Sequence, residues 1–172
     1  MATRLSILTS LKAELVAQTW TGTSNVVFPT GSVLVTKSPE VKQALATLRP
    51  PMALIMPGSA QCDPEYHEEP DLLVFDFRVR LLTVVPGDHV GENPLMGANK
   101  KGTGSTTASE GRGIFEIEQE LYNAVGRLNV LESIVIQNRQ VGDVGATVYD
   151  SGSGILYVAY CDYQFETICT LV

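Results

Sequence analysis

The sequence has few of the side chains that carry most enzyme chemistry. Its 172 residues include only two histidines and three cysteines. Nucleophilic catalysis requires a base beside a serine or cysteine, and both histidines, His67 and His89, are predicted to lie in polar turns. The chain also lacks the Gly-x-Ser-x-Gly turn that exposes a hydrolase serine. We therefore predict that the protein is not an enzyme and has no catalytic residues.

Metal-ligand side chains are concentrated in one acidic stretch that we interpret as an exposed turn. They are Cys62, Asp63, Glu65, His67, Glu68 and Glu69, with His89 as a further candidate. Structural zinc requires two close ligand pairs at fixed spacing, and an EF-hand requires a glycine and a terminal glutamate at set positions. Neither pattern is present, so we predict no metal site.

The glycine-rich segments do not match nucleotide-binding loops. Residues 97–103 have the outer glycine spacing of a Walker loop, but Thr103 stands where that loop has its phosphate-binding lysine. Gly102 and Gly104 lack the third glycine and the preceding strand of a dinucleotide-binding turn. We therefore predict no cofactor.

Positive charge is scarce and dispersed. The chain has 12 Lys and Arg against 19 Asp and Glu, a net charge of −7, and Lys100–Lys101 is its only adjacent basic pair. Binding to duplex DNA requires cations clustered on one face to replace counterions on the phosphates. Specific DNA binding is therefore not expected, although an acidic surface would suit a channel through which DNA slides.

Long apolar runs are absent, so no membrane-spanning helix is predicted. Lys12 and Glu14 interrupt the N-terminal segment too early for a signal peptide. The three cysteines form no Cys-x-x-Cys pair and cannot all pair with one another. These features predict a protein made and kept in a reducing cytosol.

The apolar periodicity predicts a single α+β domain over residues 1–172, with a mixed, mainly antiparallel sheet packed against two to three helices. Helices are predicted at 3–18, with Thr3 as N-cap, at 39–48, and along an apolar stripe that begins at Ile114 and reaches Leu128. The glutamates of that last helix are predicted to lie on its polar side. Strands are predicted at Asn25–Phe28, Met52–Met56, Leu72–Val85, Leu131–Gln137, Ala146–Tyr149 and Ile155–Cys169, with Gly142 and Gly145 marking a break before Ala146. In Leu72–Val85 the apolar residues at odd positions alternate with Asp76, Arg78 and Arg80, which predicts one buried face. Cys161 and Cys169 share a face of the last strand and are predicted to be small core residues.

Residues 86–113 form a long predicted loop with seven glycines and almost no core residues. Loops of this length are uncommon in compact domains and are usually functional or disordered. Two interpretations remain open: a flexible solvated loop, or a segment that becomes ordered when it docks on a neighbouring subunit.

The order of these elements resembles the tail terminator proteins of long-tailed bacteriophages, also called tail completion or head–tail joining proteins. The best local feature is the sequence Glu110-Gly-Arg112-Gly113-Ile-Phe-Glu116, which leads from the glycine-rich loop into an acidic helix. The resemblance implies a hexameric ring that caps the tail tube and binds the connector of the head. It also implies a virion protein, assembled in the host cytoplasm, whose partners are its own copies, the tail-tube protein and the connector or stopper protein.

Five basic residues are our candidates for the subunit or partner interface, and those at 100, 101 and 112 are chosen because they stand isolated in an acidic protein. They are Lys100, Lys101, Arg112, Arg78 and Arg80. Five aromatic residues are either interface anchors or ordinary sheet packing: Trp20, Tyr122, Tyr157, Tyr160 and Tyr163.

Two alternative functions follow the terminator in rank. The chain could be a tail-tube subunit or another neck protein, or, more distantly, an enzyme that binds a small ligand or metal through residues 62–89.

Overall fold

The computed structural model describes residues 2–37, 50–62, 72–84, 113–131, 136–150 and 155–170. Within these ranges two helices cover one face of a five-stranded mixed sheet, an α+β fold as predicted. The helices are α1 (Arg4–Ala17) and α2 (Ile114–Leu131). The strands are β1 (Val33–Val35), β2 (Met52–Cys62), β3 (Leu72–Val84), β4 (Ile136–Asp150) and β5 (Ile155–Thr170).

Helix α1 begins at the predicted N-cap. The Thr3 hydroxyl accepts a hydrogen bond from the backbone N–H of Ser6 at 3.2 Å, which satisfies one of the amides left open at a helix start. Three apolar residues at helical spacing, Ile7, Leu11 and Leu15, are fully buried. The spacing of Leu5, Leu8, Leu11 and Leu15 predicts this helix, and its ends agree to within one residue. The predicted apolar face is wrong at Leu5, which is 76% exposed, because the buried stripe runs through Ile7 instead.

Helix α2 follows Gly113 directly. The Glu116 carboxylate accepts a hydrogen bond from the Gly113 N–H at 3.2 Å, where a negative charge also favours the helix dipole. The predicted apolar stripe is buried against the sheet. The helix extends through Leu131, so the prediction of a strand starting there is wrong.

The sheet has the strand order β1-β2-β3-β5-β4. Strands β1 and β2 are parallel, and the other neighbouring pairs are antiparallel. The alternation predicted for β3 is confirmed, since its odd-numbered positions face the helices and are buried: Leu73, Phe75, Phe77, Val79 and Leu81. The Phe77 ring stacks on Phe165 of β5 with centroids 5.3 Å apart, near the centre of the core.

Three strand predictions are corrected by the structure. Residues 25–28 form no strand, and Val26 makes only an isolated bridge with Thr19. Strand β2 continues past Pro57 because one extra residue is absorbed before Ala60, where the register with β3 shifts. Strand β4 is continuous over 15 residues, since a similar shift after Val141 accommodates the glycines that suggested a break.

The two ends of the described chain meet at the sheet. The Thr170 N–H donates to the carbonyl of Ala2 at 3.0 Å, and Thr3 forms a parallel bridge with Thr170. The N-terminal residues therefore continue the sheet beside the end of β5.

Several predictions lie outside the described residues. These are the helix at 39–48, the glycine-rich loop up to residue 112, and the acidic turn after Cys62.

Candidate interaction surface

A buried carboxylate joins the end of α1 to the middle of α2. Glu120 is 4% exposed, and its two oxygens accept four hydrogen bonds. One oxygen accepts from Gln18 Nε2 at 2.6 Å and Asn123 Nδ2 at 3.1 Å. The other accepts from the backbone N–H and the hydroxyl of Thr21, both at 2.8 Å. We call these four residues the Glu120 network.

Burial of Glu120 alone would raise its pKa, but the hydrogen bonds from Thr21, Asn123 and Gln18 outweigh burial. The pKa of Glu120 therefore lies below its usual range. The carboxylate stays ionised and its acceptor sites are occupied by the protein itself. Its role in this arrangement is structural.

Arg127 adds a second link between the helices. Its Nε donates to Glu14 Oε2 at 2.6 Å, and its Nη2 donates to Gln18 Oε1. Glu14 of α1 thus pairs with residue 127 of α2, whereas Gln18 pairs with Glu120, so the two helices run antiparallel. The Arg127 side chain remains 41% exposed.

Beside these contacts lies an open groove of about 640 Å³, which we call the helix-end groove. Its walls come from the C-terminal end of α1 with the turn that follows, and from the outer side of α2. The lining residues are Gln18, Thr19, Trp20, Thr21, Gly22, Tyr122, Asn123, Gly126 and Arg127.

Between α2 and β5 a thiol and a phenol are buried near Glu118. Burial raises the pKa of Cys161, of Tyr163 and of the Glu118 carboxyl. A thiol with a raised pKa is protonated at neutral pH and is a poor nucleophile. Cys161 and Cys169 are both fully buried core residues, as their shared strand face predicted.

The face of the sheet opposite the helices carries the two predicted arginines of β3. Arg80 forms a bidentate pair with Asp162 of β5, with both N–O distances at 2.6 Å, and it lies 5.1 Å from the Tyr160 ring centroid. The hydrogen bonds that Arg80 donates to Asp162 raise the pKa of the guanidinium further. Arg78 is exposed on the same face, and no ion pair to it is found among the described residues.

The other candidates are placed as follows. Lys100, Lys101 and Arg112 lie outside the described residues. Trp20 and Tyr163 are buried in the core, whereas Tyr122 and Tyr160 are half-buried. The side chain of Tyr157 is outside the described part of the chain.

A small acidic depression lies further along the outer face of the sheet. Its lining comprises Ser59, Gln61, Cys62, Val74, Asp76 and Glu166. Asp76 Oδ1 is buried against Gly58, where a Cβ atom would approach it to 2.0 Å. Across the described ranges, no group of three or more His, Cys, Asp or Glu side chains is arranged to hold a metal ion.

Sequence reasoning missed the Glu120 network. The prediction that the glutamates of α2 lie on its polar side is wrong for Glu120, because the turn after α1 covers that side of the helix. The available signal was that Glu120 lies three residues after Ile117 and four before Ala124, both of them apolar, and this signal is a weak one.

Comparison with protein-family models and with curated protein sequences finds no match for the chain. Neither described helix is long and apolar enough to cross a membrane.

Proposed function

We propose that the protein is a virion structural protein: a tail terminator that caps the tail tube and joins it to the head connector as a hexameric ring. The observation that carries the proposal is the placement of the acidic helix α2, led by Gly113, against a mixed sheet. This is the arrangement that the resemblance in sequence implies.

The distribution of charged and apolar groups also supports a role in assembly. The ionic groups at the helix junction bond within the chain, Glu120 to Gln18 and Arg127 to Glu14, and so hold the two helices together. Large apolar side chains are exposed on the helices instead, with Leu5 76% exposed and Phe115 44% exposed. Exposed apolar surface is typical of sites that contact other proteins.

A closed ring requires two different, complementary patches on each subunit. We propose that residues 86–113 form one of them, with Lys100, Lys101 and Arg112 paired to acidic residues of a neighbour. Arg78 is an exposed cation available for a second patch. Arg80 is already paired with Asp162, so a neighbour that bound Arg80 would compete with an intramolecular bond.

Light scattering combined with negative-stain microscopy of the purified protein tests the ring. We expect closed sixfold rings, in the pure protein or on addition of tail tubes. Open tubes of indefinite length would instead favour a tail-tube subunit. A protein that stays monomeric even with tail tubes present would contradict the proposal.

Charge reversal tests the loop interface separately. The double variant Lys100→Glu and Lys101→Glu should lose ring formation and tail joining, because like charges would then face each other across the interface. Lys12 and Lys37 are exposed outside the loop, so Lys12→Glu with Lys37→Glu is a control of equal charge change. If the two double variants formed rings and joined tails equally well, residues 86–113 would have no role in the interface.

A further inference from the structure

The outer side of α2 carries the exposed ring of Phe115 near its start and a glycine, Gly126, near its end. Phe115, near the start of the helix, is 44% exposed. Gly126 lies eleven residues later, which corresponds to about 16 Å along the axis and a rotation of only about 20°. Gln119 and Asn123 lie between them on the same side.

Gly126 has no role within the described chain that requires a glycine. Glycine in a helix interior is less stable than alanine by about 1 kcal/mol, and it is usually retained for a positive φ or a close contact. A Cβ atom at Gly126 would meet nothing within 4 Å, and no positive φ occurs there. The missing side chain leaves an opening into the helix-end groove.

We propose that a second copy of this chain docks on α2 in antiparallel orientation, with Phe115 of each copy inserted into the helix-end groove beside Gly126 of the other. A large side chain facing a small one is how closely approaching helices interlock. Gln119, which is exposed and donates to Asn123 Oδ1 at 3.3 Å, then lies near the centre of the contact.

Charge complementarity supports the same arrangement. Glu116 and Arg127 are also eleven residues apart, so the rotation that brings Phe115 to Gly126 brings Glu116 of one copy opposite Arg127 of the other. Arg127 bonds to Glu14 and Gln18 through Nε and Nη2 and is still 41% exposed, so its other N–H groups can reach a second carboxylate without breaking these bonds. Two symmetry-related pairs of opposite charge therefore flank the apolar contact.

The directions of the two patches show that this contact is distinct from ring closure. In a sixfold ring, the two contacting patches of one subunit face about 120° apart. Phe115 and Gly126 face nearly the same direction, so they can contact the Gly126 and Phe115 of a partner only if a twofold axis relates the two copies. The contact therefore pairs two subunits, or two rings face to face, and it does not depend on the terminator proposal.

Its size predicts a weak association. Stable interfaces bury at least about 1,200 Å² in total, more than a single pair of helices provides over three turns. We therefore expect a dimer that forms with increasing protein concentration, in the micromolar range or weaker.

Mixed-disulfide formation tests the geometry. In a Cys62→Ser background, which removes an exposed thiol while Cys161 and Cys169 stay buried, Phe115→Cys and Gly126→Cys are prepared as separate proteins. Oxidation of the mixture should give mainly the mixed dimer, because residue 115 of one copy faces residue 126 of the other. A mixture of Leu5→Cys with Gly126→Cys is the matched control, since Leu5 is also highly exposed but lies on α1.

The outcomes separate clearly. Enrichment of the mixed dimer over the control by about tenfold would support the contact, as would loss of the dimer in sedimentation velocity with Phe115→Ala. Equal crosslinking in the Leu5 control, or Phe115→Cys dimers forming as readily alone, would overturn it. Circular dichroism of each variant checks that it is folded. Ring formation is measured separately by microscopy, so an absence of rings would contradict the proposed function and leave the twofold contact unaffected.

Discussion

Glu120 accepts hydrogen bonds from residues that lie about a hundred positions earlier in the chain. Glu120→Ala would remove the acceptor of the Thr21 N–H and hydroxyl, and would leave Gln18 Nε2 with the Thr19 carbonyl as its one remaining acceptor. Hydrogen bonds to charged groups contribute about 1.5–3 kcal/mol, and unsatisfied buried donors cost comparable amounts. We expect the free energy of unfolding to fall by roughly 2–4 kcal/mol, measured by urea denaturation.

The exposed neighbour Gln119 provides the comparison. Gln119→Ala should change the free energy of unfolding by no more than about 0.5 kcal/mol. Equal losses in the two variants would contradict a structural role for the Glu120 network.

The same carboxylate gives a defined pH dependence. The pKa of Glu120 is lower in the folded protein than in the unfolded chain, so the folded state binds fewer protons. Its stabilising contribution is therefore complete above about pH 4.3, the unfolded value, and is lost as the pH falls through the folded pKa. Burial raises the pKa of Glu118, so the protonated carboxyl is the form that the fold favours. The contribution of Glu118 to stability is therefore lost as the pH rises through its folded pKa, which is opposite to the pH dependence of Glu120.

Denaturation of the wild type and of Glu120→Gln from about pH 7 to about pH 2 isolates this contribution. The difference in stability between the two proteins should shrink below about pH 4. A difference that stays constant over the range would show that Glu120 keeps an ordinary pKa.

Gly58 is required where β2 bulges over β3. An added Cβ would lie 2.0 Å from Asp76 Oδ1 and 2.9 Å from the Asp76 carbonyl oxygen, and the second of these atoms belongs to the backbone. Gly58→Ala should therefore lower the free energy of unfolding by about 1–3 kcal/mol. Asp76→Ala in the same chain should restore only part of the loss.

Gly126→Ala is the opposite case, since its Cβ meets open space within a helix. We expect that variant to gain about 0.5–1 kcal/mol. In thermal melts, Gly126→Ala should therefore have a higher Tm than Gly58→Ala, and the reverse order would contradict the explanation of both glycines.

At the level of elements, the start of α1 is stabilised by the side chain of Thr3. Thr3→Ala removes the acceptor for the Ser6 amide and should lower the free energy of unfolding by about 1 kcal/mol. Thr3→Ser keeps a hydroxyl and should behave as the wild type. Hydrogen exchange at Ser6 distinguishes the two, and equal protection in all three proteins would show that the cap contributes nothing.

The elements that could be predicted are those with long, regular apolar spacing. The buried residues of α1 and the alternating residues of β3 each extend over several repeats, so the helical and strand periods are unambiguous. Short apolar segments gave errors: residues 25–28 make only an isolated bridge, and Val33–Val35 is the strand. Glycines 142 and 145 indicated a break, yet β4 continues because a bulge absorbs the extra residue.

At the scale of the molecule, the fold class followed from the order of these periods, but the surfaces did not. The helix-end groove is built by Gly22 and Trp20 from one element and Gly126 from another, more than a hundred residues away. Whether a charged residue is available also depends on its neighbours: Arg78 is exposed, while Arg80 two positions later is bound to Asp162. The local sequence pattern alone therefore does not predict which residues line the groove or which charged residues are paired.

The hydrogen bond from Thr170 to Ala2 has a consequence for the path of the chain itself. Because Ala2 and Thr170 lie at one point of the sheet, a short flexible linker could join these two residues. New termini could then be opened in the exposed turn at residues 21–24, because circular permutation is best tolerated at surface turns. The order in which the strands are synthesised would change while their neighbours in the sheet stay the same.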